Sequence, residues 1–221
     1  MTYGALKTLI ADYLNRDDLT SYIPHFVTLA QRKIERGGTY VVNGERVDIK
    51  GYYDCMKERK YSTTSDYYIT LPSDFLAPIW LKVKLSTDEF KPLTMMSPEE
   101  VLDYYPYLTT DTGEPEQYGI LVNQNEILVR PSPDQEYEFD FMYYKSLVAL
   151  SDDADTNAWT TDYWELLLYG ALVEAQTFLM ADQRISLWMD MFARELANLE
   201  GRDTRAKTSG GRLYVRPFYS I

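Results

Sequence analysis

Two stripes of apolar residues at helical spacing, lying between Asp162 and Gly201, constrain the fold more than any other feature of this sequence. Residues spaced three or four positions apart share one face of a helix, so each stripe indicates a helix with a buried face. Asp162 and Asp182 are the predicted N-caps, the first with Glu165 as its capping-box partner. Gly201 is the predicted left-handed C-terminal cap. We therefore predict a helical hairpin at the centre of a core, with stripes formed by Trp164, Leu168, Leu172, Ala175 and Leu179, then by Ile185, Trp188, Phe192, Leu196 and Leu199.

The amino-terminal end carries the pattern of two more helices, over residues 2–15 and 21–36. Ser21 is the predicted N-cap of the second helix, and Pro24 is tolerated in its first turn. Gly37-Gly38 ends that helix. Together with the hairpin this gives four helices, the number that encloses a compact bundle core.

The middle of the chain changes from a helical to a strand-like pattern. Asn43-Gly44, between two short apolar runs, predicts a tight hairpin. Alternating residues over Ile79–Leu85 and Tyr137–Tyr144 indicate half-buried strands. A further hairpin is predicted around Asn123-Gln124-Asn125. Ser97-Pro98-Glu99-Glu100 predicts a short helix that begins with a capping box.

These patterns predict an α+β fold in which a four-helix bundle is built from both chain ends and an antiparallel β domain is inserted between its halves. The predicted bundle comprises residues 1–38 and 156–201, and the predicted β insert comprises residues 39–155. Residues 202–221 contain Ser209-Gly210-Gly211 and no helical stripe. We therefore expect them to form an extended C-terminal arm.

Charge is divided unevenly along the chain, whose formal net charge is −12. Residues 1–200 hold 33 of the 34 acidic side chains and 17 of the 22 basic ones. An acidic body repels phosphate, which disfavours stable binding of nucleic acid. The basic tail is compatible with a nucleic-acid arm, but the aromatic residues between its charges favour docking on a protein surface. The candidate docking residues are Arg205, Lys207, Arg212, Tyr214, Arg216, Phe218 and Tyr219.

Few residues are suited to catalysis or to metal binding. His25 is the only histidine and Cys55 the only cysteine, which excludes the usual zinc ligand sets and an intramolecular disulfide and indicates a reducing compartment. Asp152-Asp153-Ala154-Asp155 lacks the glycine and the glutamate of a calcium-binding EF-hand loop. We predict no catalytic residue, no metal site and no cofactor. A pair of carboxylates that hydrolyses a glycan stays open, because spatial separation defines such a pair.

The sequence also bears on where the protein is made. Its amino terminus has no apolar core of the signal-peptide type, and no run approaches 18 apolar residues. We therefore expect synthesis in the cytosol and no association with a membrane.

Four stretches carry a further signal in their order and spacing. The first is L-x-x-L-I-x-D-Y-L-N-R-x-D-L-T with I-P-x-F-V-x-L-A-Q-R-K-I over residues 6–34, and the second is Y-x-I-T-L-P-S-D-F over Tyr67–Phe75. The third is G-E-P-E-Q-Y with N-E-I-L-V-R-P-S-P over Gly113–Pro133. The fourth is Y-Y-K-S-L-V-A-L-S-D, T-N-A-W and L-L-L-Y-G-A-L-V-E-A over Tyr143–Ala175. Together they resemble the adaptor, or head-to-tail connector, proteins of short-tailed bacteriophages. The resemblance covers most of residues 1–200, and Gly37–Tyr53 departs from it as an insertion.

The resemblance implies a structural virion protein without enzymatic activity. Such adaptors form a ring of identical subunits, expected to be a dodecamer, beneath the portal protein at the portal vertex of the tail. The ring extends the DNA channel and is the attachment platform for the tail nozzle or fibre proteins, while the C-terminal arm reaches toward the portal. DNA is expected to pass through the acidic channel without specific binding.

Two other functions compete with the adaptor. In one, the protein is another structural or receptor-binding module of the virion, and its β insert grips a host glycan or protein. In the other, it is a cell-wall hydrolase that uses two carboxylates. The position of the protein in the virion distinguishes the first alternative, and a turnover abolished by one carboxylate substitution distinguishes the second.

Overall fold

Helices occupy both ends of the chain and strands occupy its middle, as the change in periodicity predicts. The computed structural model describes residues 1–87, 89–179 and 183–208, with no side chains described for 206–208. Its helices in chain order are α1 (Tyr3–Leu14), α2 (Ile23–Arg36), α3 (Pro98–Tyr104), α4 (Ala158–Thr161), α5 (Trp164–Glu174) and α6 (Arg184–Thr208). Its strands are β1 (Gly38–Val42), β2 (Glu45–Ile49), β3 (Lys57–Thr64), β4 (Tyr68–Thr70), β5 (Phe75–Lys84), β6 (Phe90–Pro92), β7 (Thr94–Met95), β8 (Thr112–Gly113), β9 (Gln117–Leu121), β10 (Glu126–Arg130), β11 (Ser132–Pro133) and β12 (Tyr137–Lys145).

The chain divides into two units. A helical unit comprises Met1–Cys55 and the chain from Leu147 onward, and a β unit comprises Met56–Ser146. The structure thus places residues 39–55 and 147–155 with the helices, whereas the sequence pattern assigned them to the β insert. The α+β class is confirmed.

Helix α5 lies at the centre of the helical unit, where it packs against α1, α2 and α6. The prediction of a single apolar stripe was too narrow here, because α5 is buried on nearly all sides. A helix surrounded by other helices is apolar all round. Close packing is possible at Gly170, where an added Cβ would lie 3.1 Å from Ala30 Cβ. The buried residues of α5 are Leu166, Leu167, Leu168, Gly170, Ala171, Leu172 and Val173.

The predicted N-caps of two helices are wrong. Residues Asp17–Tyr22 form a 3-10 turn, so α2 begins at Ile23 and Ser21 does not cap it. Asp162 ends α4 instead of capping α5. The capping box in this region belongs to α4, where Asn157 receives the backbone N–H of Thr160. Asp182 lies outside the described residues.

Helix α6 confirms the predicted stripe but not the predicted helix end. The five stripe residues from Ile185 to Leu199 are buried. The helix then continues through Gly201 to Thr208, so residues 202–208 are helical and not extended. A glycine inside a helix costs only about 1 kcal/mol relative to alanine. Contacts made by Glu200 and Asp203 on either side of the glycine hold the helix in place.

The Asn43-Gly44 hairpin is confirmed, and it belongs to the core of the helical unit. Strands β1 and β2 pair antiparallel, and both turn residues have positive φ, 51° and 86°. The ring of Tyr40 packs edge-on against Phe192 of α6 at a centroid distance of 5.0 Å. Asn43 Nδ2 also donates to Ser186 Oγ at 2.9 Å. Residues 37–53, the apparent insertion, therefore cover one side of α6.

The β unit contains two four-stranded sheets, with strand orders β3-β12-β5-β6 and β4-β10-β9-β7. The pairs are antiparallel except for β7 with β9 and the short β8 with β11. Inward side chains of both sheets form one core, to which Leu81, Val83, Phe139, Ile127 and Val129 belong.

Several local predictions hold within the β unit. Alternate residues of β12, from Tyr137 to Tyr143, are buried as predicted. Strands β9 and β10 form the expected hairpin, and Asn125 adopts a left-handed conformation with φ 60°. Ser97 and Glu100 form the predicted capping box at the start of α3. Strand β3 was missed, because it lies at a sheet edge and its sequence, KERKYSTT, is polar on both faces.

Candidate functional site

The candidate site on sequence grounds is the basic and aromatic tail of residues 202–221. The structure places Arg205 and Lys207 in the last turns of α6, with Arg205 exposed. The other candidate residues lie outside the described part of the chain: Arg212, Tyr214, Arg216, Phe218 and Tyr219. The described geometry is therefore that of the arm base, by which we mean residues 200–208 of α6 and the loop of residues 50–55 that contacts them.

Two glycines position the loop of the arm base. Gly37 and Gly51 flank the β1–β2 hairpin and have positive φ, 83° and 72°. They lie so close together that a Cβ on Gly51 would be 2.4 Å from Gly37 N. Tyr52 N donates to Glu35 O at 3.0 Å, which ties the loop to the end of α2. The hairpin consequently leaves and rejoins the helices at one point, and the loop starts from there.

The loop then forms an ion pair and a hydrogen bond with the final turns of α6. Lys50 Nζ lies 2.7 Å from Glu200 Oε2, and Asp54 N donates to Asp203 Oδ2 at 3.0 Å. Thr204 Oγ1 donates back to Glu200 O at 2.9 Å. A cavity of about 140 Å³ remains between the loop and the helix. The exposed Lys50–Glu200 pair contributes no more than about 1 kcal/mol to the free energy of unfolding. Its main effect is to fix the position of the loop against α6.

The buried carboxylate of Glu35 in α2 forms hydrogen bonds beside the loop. Glu35 is only 2% exposed. Its Oε1 accepts from Gln31 Nε2 at 2.8 Å, from Trp159 Nε1 at 3.0 Å and from Leu147 N at 3.3 Å. A buried carboxylate is tolerated only when donors surround it in this way. Glu35 therefore links α2, α4 and the returning chain.

Aromatic rings continue the same set of contacts to α6. The fully buried ring of Trp159 packs edge-on against Tyr53, with centroids 6.0 Å apart. It also meets Tyr163 at 5.8 Å. The guanidinium of Arg202 lies 5.7 Å from the Tyr163 ring centroid. Contacts thus run without a break from α2 through the loop and α4 to the start of the arm.

Two ionisable groups of the arm base, Cys55 and Tyr53, are held in their neutral forms by burial. Burial raises the pKa of the Cys55 thiol to about 12, and the nearby charge of Asp203 adds to the effect. Burial likewise raises the pKa of Tyr53. Both groups are neutral at physiological pH, so Cys55 is neither an activated nucleophile nor a ready metal ligand.

The acidic connector of residues 151–155 has a structural arrangement. Asp155 Oδ2 accepts from the backbone N–H groups of Ser151 and Asp152, each at 2.8 Å, and these bonds lower the pKa of Asp155. Asp153 pairs with Lys7 at 2.6 Å. Across the described ranges, no cluster of three or more His, Cys, Asp or Glu side chains is arranged to hold a metal ion. Among the same residues, no helix has the length and apolar character needed to cross a membrane.

The contacts described for the arm base, an ion pair, backbone hydrogen bonds and packed aromatic rings, are contacts that support a fold. The model of the SU10 adaptor protein family matches residues 1–216, and the chain belongs to that family. A comparison with curated proteins finds no match. The resemblance to bacteriophage adaptors is thereby confirmed. Family membership makes the chain a structural component of a phage virion, implies a non-enzymatic role, and implies association with portal and tail proteins.

The sequence did not reveal the contacts that brace the arm base. Lys50 meets Glu200, and Glu35 meets Trp159, across more than 120 residues of chain in each case. No local pattern reports such long-range pairs. One signal was present: Gln31 and Glu35 continue the face of α2 that contains the buried Val27, at steps of four residues. Polar residues in line with a buried face indicate an internal hydrogen-bond network.

Proposed function

We propose that this protein is a head-to-tail adaptor that forms a ring of identical subunits beneath the portal. Twelve copies match the symmetry expected of the portal, extend the DNA channel, and provide the platform to which tail nozzle or fibre proteins attach. The family match over residues 1–216 is the observation that carries this proposal. A ring of this kind is built from head-to-tail contacts that close on themselves.

The helices of residues 1–38 and 156–201 act in this proposal as one four-helix bundle that supports the arm. Helix α6 has 25 residues and is therefore about 37 Å long. Its last turns are held by Lys50 and Asp54, so the direction in which the chain leaves the bundle is defined. A defined exit reduces the conformational entropy that docking must overcome.

The arm itself is the proposed portal-binding element. Arg205 and Lys207 begin it on α6, and arginine and aromatic side chains of residues 212–219 complete it. Arginine, tyrosine and tryptophan are the residues that contribute most at protein interfaces. Twelve arms docking on one portal would also bind much more tightly than one arm alone.

Charge supports the proposed role as a conduit for DNA. Nearly all acidic residues lie in residues 1–200, and the net charge of the chain is −12. A wall of this charge repels phosphate, so DNA passes without specific binding. The protein is made in the host cytoplasm in this proposal and becomes part of the tail at the portal vertex.

Deletion of residues 209–221 tests the arm. The described part of α6 stays intact in this variant, so the helical unit should fold normally. We expect binding to purified portal protein of the same phage to weaken by at least about a hundredfold. Surface plasmon resonance with immobilised portal protein measures the dissociation constant. Arg212→Ala with Arg216→Ala should weaken binding by about tenfold.

The matched control is Lys60→Ala, which removes an exposed basic residue of β3 in the β unit. Its affinity for portal should equal that of the natural chain. Undiminished portal binding by the deletion variant would exclude the arm as the portal-binding element.

A further inference from the structure

The chain after α3 forms an exposed aromatic groove in the β unit, which we call the tyrosine groove. It is lined by residues 104–107, Asp111, Thr112 and Pro131 and has a volume of about 430 Å³. Tyr104 and Tyr107 are each 66% exposed. Contiguous exposed apolar patches mark interaction sites, and tyrosine is enriched at protein interfaces.

A buried arginine holds the backbone of the groove in place. The Arg130 side chain is 0% exposed. One of its terminal nitrogens donates to Tyr105 O and Tyr107 O, both at 2.9 Å, and the other donates to Leu108 O at 3.3 Å and to Ser132 Oγ. Burying a guanidinium is expensive unless acceptors surround it. The three carbonyl oxygens offset this cost, and their hydrogen bonds to Arg130 fix the backbone of the segment that contains the tyrosines.

The carboxylate of Asp111 strengthens the same segment and places an ion-paired acidic group in the lining of the groove. Asp111 Oδ2 accepts from Tyr107 N at 3.1 Å and lies 3.8 Å from Arg130. The side chain remains 29% exposed and lines the groove. The groove is therefore a fixed surface with a carboxylate among aromatic rings.

The negative charge next to the groove comes from the surrounding sequence. Residues 97–116 contain six acidic residues and no lysine or arginine. Lys91 lies 2.5 Å from Glu114 and 3.4 Å from Glu116, which neutralises part of that charge. Arg130 balances Asp111 in the same way. The other three acidic residues, Glu99, Glu100 and Asp103, are exposed on α3, the helix that ends at Tyr104 of the groove.

We infer that the tyrosine groove binds an extended, proline-containing segment of another protein that carries arginine or lysine. Aromatic grooves accept polyproline II segments, because such segments are already extended and lose little entropy on binding. The acidic surround selects a basic segment, and an arginine over a tyrosine ring gains a cation–π contact. The same charge opposes nucleic acid. This inference does not rest on portal binding, since the groove lies in the β unit.

Fluorescence anisotropy on the full chain tests the inference. The probe is a labelled peptide of repeated Pro-Pro-Arg, and the control peptides are Pro-Pro-Glu and Ala-Ala-Arg repeats of equal length. We expect the Pro-Pro-Arg peptide to bind at least about tenfold more tightly than either control. The first control tests the charge and the second tests the proline conformation.

Substitutions then locate the binding site. The double variant Tyr104→Ala with Tyr107→Ala should weaken binding of the Pro-Pro-Arg peptide by at least about tenfold. Asp111→Asn should also weaken binding of this peptide, while its amide oxygen still accepts from Tyr107 N. Tyr61→Ala is the matched control, because Tyr61 is another half-exposed tyrosine of the β unit, 52% exposed. Far-UV circular dichroism should be the same for all these variants, and the unfolding midpoint should be the same for the tyrosine variants. Asp111→Asn should lower the midpoint, because it removes the counter-charge of the buried Arg130.

Three results would overturn the inference. One is equal binding of the basic and acidic proline peptides, and another is unchanged binding by the tyrosine variant. The third concerns the chain itself: residues 209–221 contain Arg216-Pro217 and no acidic residue. If a peptide of residues 209–221 binds the groove more tightly than Pro-Pro-Arg, the occupant is this chain and not a second protein.

Discussion

At the scale of single residues, Gly51 shows how one backbone position organises the arm base. Its φ of 72° and its approach to Gly37 N leave no room for a side chain. The contact closes the β1–β2 hairpin onto the end of α2 and starts the loop that holds α6. A substitution here should therefore disturb the loop and, through it, the last turns of α6.

Gly51→Ala should lower the free energy of unfolding by about 3 kcal/mol or more, because the new Cβ would clash with fixed backbone. Gly44→Ala is the control, since Gly44 also has a positive φ, 86°, but an added Cβ would meet nothing within 4 Å. It should cost only about 1 kcal/mol. Urea denaturation measures both. If the two variants lose the same free energy of unfolding, the close approach of Gly51 to Gly37 does not contribute to stability.

At the scale of elements, the proposed function depends on where α6 ends, because the proposed portal-binding arm continues from it. A glycine near the end of an apolar stripe indicates a helix end, and no residue pattern after Gly201 favours a longer helix. The structure carries α6 to Thr208, because Glu200 and Asp203 are held by the loop on both sides of Gly201. The arm therefore starts as a helix.

Gly201→Ala tests this extent directly. Inside a helix, with nothing within 4 Å of the new Cβ, alanine should raise the free energy of unfolding by about 0.5–1 kcal/mol. Gly170→Ala is the matched control: its Cβ would lie 3.1 Å from Ala30 Cβ and 3.3 Å from a ring carbon of Phe192, so it should destabilise the protein. Urea denaturation distinguishes the two. A loss of stability in Gly201→Ala would show that the helix ends there in a left-handed cap.

Elements with a strong local signal were predictable from sequence. The alternation in β12, the Asn43-Gly44 turn and the capping box of Ser97 with Glu100 each depend on residues a few positions apart. Their physical causes, side-chain burial on one strand face, positive φ and satisfied helix N–H groups, are all local.

Elements fixed by distant partners were not predictable. Strand β3 has a polar sequence and is a strand because it pairs with β12 along its length. The burial and the hydrogen bonds of Glu35 were not predicted, because its donor Trp159 is 124 residues away in the sequence. The role of Arg130 depends on carbonyl oxygens of residues 105–108, which sequence does not display. In the arm, the basic and aromatic composition was visible, but its helical first turns were not.

At the scale of the whole molecule, charge and architecture support one account. An acidic body with a basic tail, organised as a helical unit and a β unit, belongs to a phage adaptor family. The proposed ring uses the acidic body as a channel wall and the tail as the contact to the portal. The proposed channel wall requires several identical copies around one axis.

The number of copies bound to a portal tests the central claim most directly. Purified chain is mixed with portal protein of the same phage, and the complex is weighed by native mass spectrometry and imaged by electron cryomicroscopy. The account predicts twelve copies of this chain in a closed ring on one face of the portal, continuous with the DNA channel. No complex with the portal, or a position at the tip of a tail fibre in the intact virion, would contradict it.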